Sequence, residues 1–167
     1  MPEKATTERA KEDLREGKSR KTAAGEFIHE EIEHVREGKH GVRSPQQAIA
    51  IGLSKARRAG IPVPPPAKGK TSENTRARAE RDYEKGQSDE DEQPSPRRSR
   101  AREKVLEREP RSTVSHSALS RQTRTASRSR TSRERHQAAE KAVKTKGKTG
   151  LQTAAKKAAR TRAKRAA

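Results

Sequence analysis

Apolar side chains recur with helical spacing in one stretch of this chain, residues 25–60. In its first half the spacing predicts an amphipathic helix. The apolar face of that helix consists of Phe27, Ile28, Ile32 and Val35. Gly38 is expected to end the helix, because glycine readily takes the left-handed conformation that follows a last turn. An acidic stripe lies opposite the apolar face and consists of Glu26, Glu30, Glu33 and Glu37.

A second helix in the same stretch has a strong start signal. Ser44 is its predicted N-cap, Pro45 takes the first helical position, and Gln47 completes a capping box. Gly60 is the expected stop. The apolar face of this helix consists of Ile49, Leu53 and Ala56. The small residues that flank this face are Ala48, Gly52 and Ala59. The two helices form a predicted helical hairpin over residues 21–60.

This hairpin offers little apolar burial against the entropy of ordering its backbone. We therefore expect a partner, a second copy or a neighbouring segment of the chain to stabilise it. Ile51 points away from the main apolar face and suits a second contact of this kind.

The rest of the chain divides into four segments by composition. Residues 1–20 predict a short polar helix that ends at Gly17, and residues 61–71 predict a proline-rich linker of polyproline II type. Residues 72–110 predict short helices on either side of an acidic loop. Residues 111–167 form a basic arm, partly helical or disordered.

Local signals place the helices of these later segments. One helix is expected from Ser72 to Gly86 and another around Val105 and Leu106. The acidic loop between them contains Asp89, Glu90, Asp91 and Glu92. In the arm, a capping box of Thr131 and Glu134 predicts a helix that ends before Gly147, and an alanine-rich helical segment follows from Gly150.

Composition favours a mainly α protein with extensive disorder and no β-sheet. Charged residues make up 39% of the 167 residues and hydrophobic residues only 26%, which is typical of chains that cannot bury enough apolar surface to fold throughout. The chain has one Phe, one Tyr and neither Trp nor Cys. It therefore has no disulfide, thiolate metal site or thiol nucleophile.

The net charge of +19 is concentrated at one end of the chain. Residues 111–167 contain 17 basic and 2 acidic side chains, whereas the numbers of basic and acidic side chains nearly balance over residues 1–110. This asymmetry predicts a nucleic-acid-binding arm, with DNA favoured over RNA. The residues expected to contact phosphates are Arg121, Arg124, Arg128, Arg130, Lys156, Lys157, Arg160, Arg162, Lys164 and Arg165.

The hairpin is a second candidate for contacts with nucleic acid, as a helix-turn-helix reader. The polar and basic residues that it offers are Lys39, Arg43, Gln46, Gln47, Lys55, Arg57 and Arg58. Recognition helices usually read bases with their N-terminal residues, whereas the cations here gather near the C-terminus of the second helix. A hairpin that binds a protein or self-associates is the other interpretation.

Other classes of function lack their motifs. The five histidines show neither i, i+4 pairs nor zinc-site spacing, so we expect no metal site and no cofactor. Phosphate loops, nucleotide-binding glycine fingerprints and nucleophile elbows are missing, so we expect neither an enzyme nor a small-molecule substrate. The arm lacks the broad apolar face needed for membrane binding.

The segments Lys39-His40-Gly41, Gln47-Ala48-Ile49-Ala50-Ile51 and Leu53-Ser54-Lys55-Ala56-Arg57 resemble a family of small basic bacterial proteins of unassigned function, over roughly residues 1–65. The resemblance implies no activity, cofactor or binding residue. The lysine- and alanine-rich arm is similar in composition to histone-like bacterial tails.

The sequence thus predicts a non-enzymatic, histone-like accessory protein of the cytoplasm (nucleoid) that binds nucleic-acid phosphates without sequence preference. The alternative is a protein-interaction or assembly factor whose hairpin binds a protein and whose tail only solubilises it.

Overall fold

The computed structural model describes residues 3–88 and 95–166, with side chains through residue 164. Within these ranges all regular structure is helical, which confirms the mainly α class without a sheet; extensive disorder is not shown. The predicted acidic loop, Asp89 to Glu92, lies outside the described residues. The helices are α1 (Lys4–Arg15), α2 (Arg20–Arg36), α3 (Pro45–Arg58), α4 (Glu73–Gln87), α5 (Pro96–Glu107), a 3₁₀ turn (Ser112–Val114), α6 (His116–Arg128) and α7 (Ser132–Ala166).

The chain forms two compact units, Met1–Gln122 and Thr123–Ala167. In the first unit, three helices end in the same way, at Gly17, Gly38 and Gly60, whose φ angles are 74°, 82° and 81°. At α2, the N–H of Gly38 donates to the Val35 carbonyl at 3.2 Å and the N–H of Lys39 donates to the His34 carbonyl at 2.9 Å. This pair of bonds is the Schellman motif. The three predicted glycine stops are confirmed.

The start of α3 also follows the prediction. The Ser44 hydroxyl accepts from the backbone N–H of Gln47 at 3.2 Å, and Pro45 is the first helical residue. The predicted capping box is only half formed, because the Gln47 side chain accepts from the N–H of Arg43 at 2.8 Å, one residue before the N-cap, instead of from the N–H of Ser44. In contrast, α2 begins at Arg20, earlier than the apolar pattern indicated, because the Ser19 hydroxyl caps it by accepting from the N–H of Thr22.

The close contact between α2 and α3 is made possible by Gly52. A β-carbon at this position would lie 2.7 Å from Cα and 2.9 Å from N of Ile28, inside the van der Waals contact of a backbone. Only glycine therefore lets the two helix backbones approach this closely. The flanking residues Ala48 and Ala56 are fully buried.

Segments outside the hairpin cover its apolar face. Phe27 is fully buried in a cluster that includes Ala10 of α1 and Ile61 and Val63 of the proline-rich linker. Arg57 holds the linker in place by donating from its guanidinium to the carbonyls of Val63 at 3.1 Å and of Pro64 at 3.4 Å. The expectation that a neighbouring segment stabilises the hairpin is confirmed, and the linker is part of the folded unit.

A second cluster forms between the C-terminal end of α2 and the first half of α3. Val35, Val42, Ala48 and Val114 are fully buried there, and Ile32 and Ile51 pack against them. The end of α5 and the chain that follows it join this cluster through two backbone bonds, from the N–H of Gly41 to the Leu106 carbonyl at 2.9 Å and from the N–H of Val42 to the Pro110 carbonyl at 3.1 Å. The second contact expected for Ile51 is therefore made inside the unit.

Helix α4 packs against α3. The Ser54 hydroxyl donates to Asp82 at 2.6 Å, and Arg58 pairs with the same carboxylate at 2.6 Å. The predicted stop at Gly86 is wrong, because α4 continues to Gln87 and Gly86 lies against the backbone at the end of α3.

The second unit contains the end of α6 and the long α7. The predicted capping box opens α7, with the Thr131 N–H donating to Glu134 at 2.9 Å and the Glu134 N–H donating to the Thr131 hydroxyl at 3.2 Å. Gly147 interrupts the helix with φ 63° and ψ −179°. Both features agree with the sequence prediction.

Among the described residues, no helix combines the length and the apolar character that crossing a bilayer requires.

Replacing Gly52 by alanine should destabilise the protein by about 1–3 kcal/mol, since the new methyl group overlaps the Ile28 backbone. The matched control is Gly25→Ala in α2, where no atom lies within 4 Å of the added carbon. This control should gain about 0.5–1 kcal/mol from helix propensity. Urea denaturation monitored by circular dichroism measures the free energy of unfolding of both variants. Equal stabilisation of the two variants would contradict the close contact between α2 and α3.

Candidate functional sites

The second unit carries a dense set of exposed cations. Arg124 and Arg128 are one helical turn apart in α6, and Arg130 follows the end of that helix; all three are exposed. Arg121 is exposed one turn earlier, in the part of α6 that belongs to the first unit.

The C-terminal part of α7 presents the remaining predicted phosphate contacts. Lys156, Arg160 and Lys164 recur at i, i+4 and i+8, so they share one face of the helix, and Lys157 borders that face. Arg162 lies on another side, and all five side chains are exposed. The Arg165 side chain, also predicted to bind phosphates, lies outside the described side chains.

Both acidic residues of this unit interact with residues nearby in the sequence. Glu134 caps α7, and Glu140 pairs with His136 at 3.4 Å. Residues 123–167 contain 15 basic side chains against these 2 acidic ones. The unit therefore presents a strongly positive helical surface.

The basic and polar residues of the hairpin have a different environment. On the side of the connection, Arg43 pairs with Glu109 at 2.9 Å and Gln46 donates to Gln122. The Gln47 side chain accepts from the Arg43 N–H.

Lys39 completes this group. It lies 3.1 Å from Glu37 and 3.4 Å from Glu3, and hydrogen bonds to these carboxylates raise the pKa of Lys39. Hydrogen bonds from His34 and Lys39 lower the pKa of Glu3.

The cations near the end of α3 also form ion pairs and hydrogen bonds within the first unit. Lys55 lies between Glu30 at 3.2 Å and Glu31 at 2.8 Å. Arg57 is only 7% exposed, and burial lowers its pKa. Arg58 pairs with Asp82. All seven hairpin residues proposed as nucleic-acid contacts thus have partners within the first unit.

The predicted acidic stripe on α2 is wrong at Glu30, which is 5% exposed and packs against α1 and α3. Burial raises the pKa of Glu30, but hydrogen bonds from Thr6, the Glu3 N–H and Lys55 outweigh it, so the pKa lies below its ordinary value. The contact with α1 is direct, since the Glu3 N–H donates to the Glu30 carboxylate at 3.2 Å. Glu30 therefore links all three of the first helices.

One cluster was missed by the sequence analysis, which expected no metal site. The carboxylate of Glu31 and one ring nitrogen each of His34 and His40 lie within 4.8 Å of one another. The signal was present as Glu31 and His34 at i, i+3, which places both on one side of a helix. His40 joins them only because the turn at Gly38 brings the chain back.

Residues 3–68 match the model of a protein family described as a family of unknown function (DUF6496). The match covers α1 to α3 and most of the linker that packs on them. Comparisons with curated proteins and with solved structures find no match. The resemblance to a domain of unknown function is thus supported for this part of the chain, whereas its bacterial origin and the specificity of its motifs stay predictions.

Replacing Glu30 by glutamine should lower the free energy of unfolding at pH 7 by about 1–3 kcal/mol, because buried donors lose a charged acceptor. The pKa of Glu30 is depressed on folding, so its contribution is fully present above the ordinary value of 4.5 and is lost as the pH falls through the folded pKa. Chemical denaturation between pH 7 and pH 3 should therefore show a shallower loss of stability in the variant. The control is Glu12→Gln, an exposed carboxylate of α1; identical profiles for Glu30→Gln and the unmodified chain would contradict this role.

Proposed function

We propose that this protein binds nucleic-acid phosphates without sequence preference through its basic C-terminal arm, and that it acts as a non-enzymatic, histone-like accessory protein of the nucleoid. The observation that carries the proposal is the contrast between the two units. The hairpin cations are held by carboxylates and carbonyls of their own unit, whereas the arm exposes many cations beside only two acidic residues.

The physical basis is the release of counterions. Duplex DNA carries a condensed atmosphere of cations, and each lysine or arginine that neutralises a phosphate releases some of it. If about eight arm cations engage the backbone, the logarithm of the binding constant should fall with the logarithm of salt concentration with a slope near −7. The face formed by Lys156, Arg160 and Lys164 supplies an ordered part of this contact.

Two features favour duplex binding without base recognition. The chain has a single Phe, a single Tyr and no Trp, which leaves few platforms on which unpaired bases could stack. At the start of α3, where a recognition helix would read bases, the Gln47 side chain is occupied as a cap and Gln46 bonds to Gln122. We therefore favour DNA over RNA and assign the hairpin a structural role.

The alternative of a protein-interaction factor loses part of its support. It rested on an apolar hairpin face that required a cover, and α1, the linker and the segment around Val114 supply that cover. Binding of a protein to another surface of the first unit is the remaining form of this alternative.

Salt-dependent binding of the full chain to a labelled 20-base-pair duplex tests the proposal by fluorescence anisotropy. We expect a steep slope for the unmodified chain. A variant with glutamine at Lys156, Lys157, Arg160, Arg162 and Lys164 should have a slope shallower by about 4.5, if each cation contacts one phosphate.

The matched control carries glutamine at five exposed cations of the first unit: Lys4, Lys11, Arg20, Lys21 and Lys68. It has the same net charge as the arm variant, so it separates the position of the charge from its amount. Equal losses in both variants, or no binding by the unmodified chain near 100 mM salt, would contradict the proposal.

A further inference from the structure

We infer that Glu31, His34 and His40 form a binding site for a divalent ion of the zinc class at the C-terminal end of α2. The site is distinct from the basic arm, and it depends on side chains whose arrangement the nucleic-acid proposal does not use.

The buried carboxylate of Glu31 is the first observation. Glu31 has 0% relative exposure, and neither of its oxygens has a hydrogen-bond partner. Lys55 Nζ lies 2.8 Å from Oε2 and His40 Nε2 lies 3.3 Å from Oε1, but these contacts lack the angles of a hydrogen bond. A buried carboxylate without hydrogen bonds is costly, and a bound cation removes that cost.

The local charge also favours a bound cation. Glu30 and Glu31 are both buried and share the single ammonium of Lys55. Lys55 approaches Oε2 of Glu31, which leaves Oε1 directed at His40. A cation between Oε1 and the imidazoles would compensate the second carboxylate, which Lys55 alone does not neutralise.

The orientation of His40 is the second observation. Its Nδ1 lies 3.1 Å from the Gly41 carbonyl oxygen, which can only accept a hydrogen bond. Nδ1 therefore carries a hydrogen, so Nε2 of the neutral ring is an acceptor that lies 3.3 Å from Oε1 of Glu31. Two acceptors at this distance, with no hydrogen bond between them, are spaced as neighbouring ligands of one metal ion. A backbone carbonyl that holds the second nitrogen is a common outer contact of metal-bound histidines.

His34 completes the set from one turn along α2. Its ring and that of His40 are nearly perpendicular, with centroids 6.4 Å apart. Glu3 Oε1 lies 3.0 Å from Nε2 of His34 and helps to hold the ring. The Schellman turn at Gly38 fixes His40 relative to the helix, so the three ligands come from a stable element and a defined turn.

The ligand types identify the class of ion. Two imidazole nitrogens and one carboxylate oxygen suit Zn²⁺, usually with a fourth position for water, whereas Mg²⁺ and Ca²⁺ prefer oxygen ligands alone. Neighbouring ligands of tetrahedral zinc lie roughly 3.3 Å apart, as Oε1 and Nε2 do here. The His34 nitrogen lies within 4.8 Å of both, so binding of the ion would draw it closer.

Calorimetric titration of the metal-free, untagged full chain with ZnCl₂ at pH 7.5 tests the site. We expect one ion per chain and a rise in thermal stability on binding. The double variant His34→Gln with His40→Gln should bind at least about tenfold more weakly. The triple variant His29→Gln, His116→Gln and His136→Gln removes every other histidine and should bind as the unmodified chain does.

A second variant guards against loss of folding. Glu31→Gln removes the buried charge while keeping the shape of the side chain, so the metal-free protein should remain folded, with its stability unchanged or increased. Zn²⁺ should no longer raise its melting temperature, and excess Mg²⁺ should not compete with Zn²⁺ in the unmodified chain. Equal zinc binding by the double and triple variants, or zinc stabilisation of Glu31→Gln equal to that of the unmodified chain, would overturn the inference.

Discussion

The folded part of this protein depends on the contact between α2 and α3 at Gly52. Because the two backbones meet there without an intervening side chain, Phe27 and Ala56 are buried in one cluster and Val35 and Ala48 in the other. The same approach brings Lys55 of α3 to the carboxylates of α2. Both the apolar core and the buried charges therefore follow from one small residue.

Charge is used in two different ways along the chain. In the first unit, cations and carboxylates join elements that are distant in sequence, as Arg43 does with Glu109 and Arg58 with Asp82. In the second unit, cations outnumber carboxylates so strongly that they cannot be paired within it. Self-repulsion of such a helix decreases when a polyanion binds, which couples the shape of the arm to its ligand.

Local signals in the sequence predicted the helix boundaries well. The glycines at positions 17, 38 and 60 and the caps at Ser44 and Thr131 act over a few residues, so they can be recognised without knowing the fold. Tertiary contacts were harder to predict. The apolar pattern alone did not show that Ile61 and Val63 complete the core, because two residues on either side of a proline have no helical period to reveal a buried face.

The candidate sites likewise divide into features that local sequence predicts and features that depend on tertiary contacts. The basic arm could be predicted because an excess of charge persists over dozens of residues. The burial of Glu30 and Glu31 could not, because a glutamate on a polar helix is normally exposed and only the neighbouring helices remove it from water. Nor did spacing bring His40 to His34, since the turn at Gly38 determines their approach.

The central claim is that the arm binds nucleic acid while the folded unit does not read it. The most direct test is a ¹⁵N–¹H correlation spectrum of the full chain, recorded during titration with a short duplex at about 100 mM salt. Our account predicts that amide signals of residues 123–166 shift or broaden and that those of α3 (Pro45–Arg58) stay in place. Shifts concentrated at the start of α3, with the arm unchanged, would contradict it.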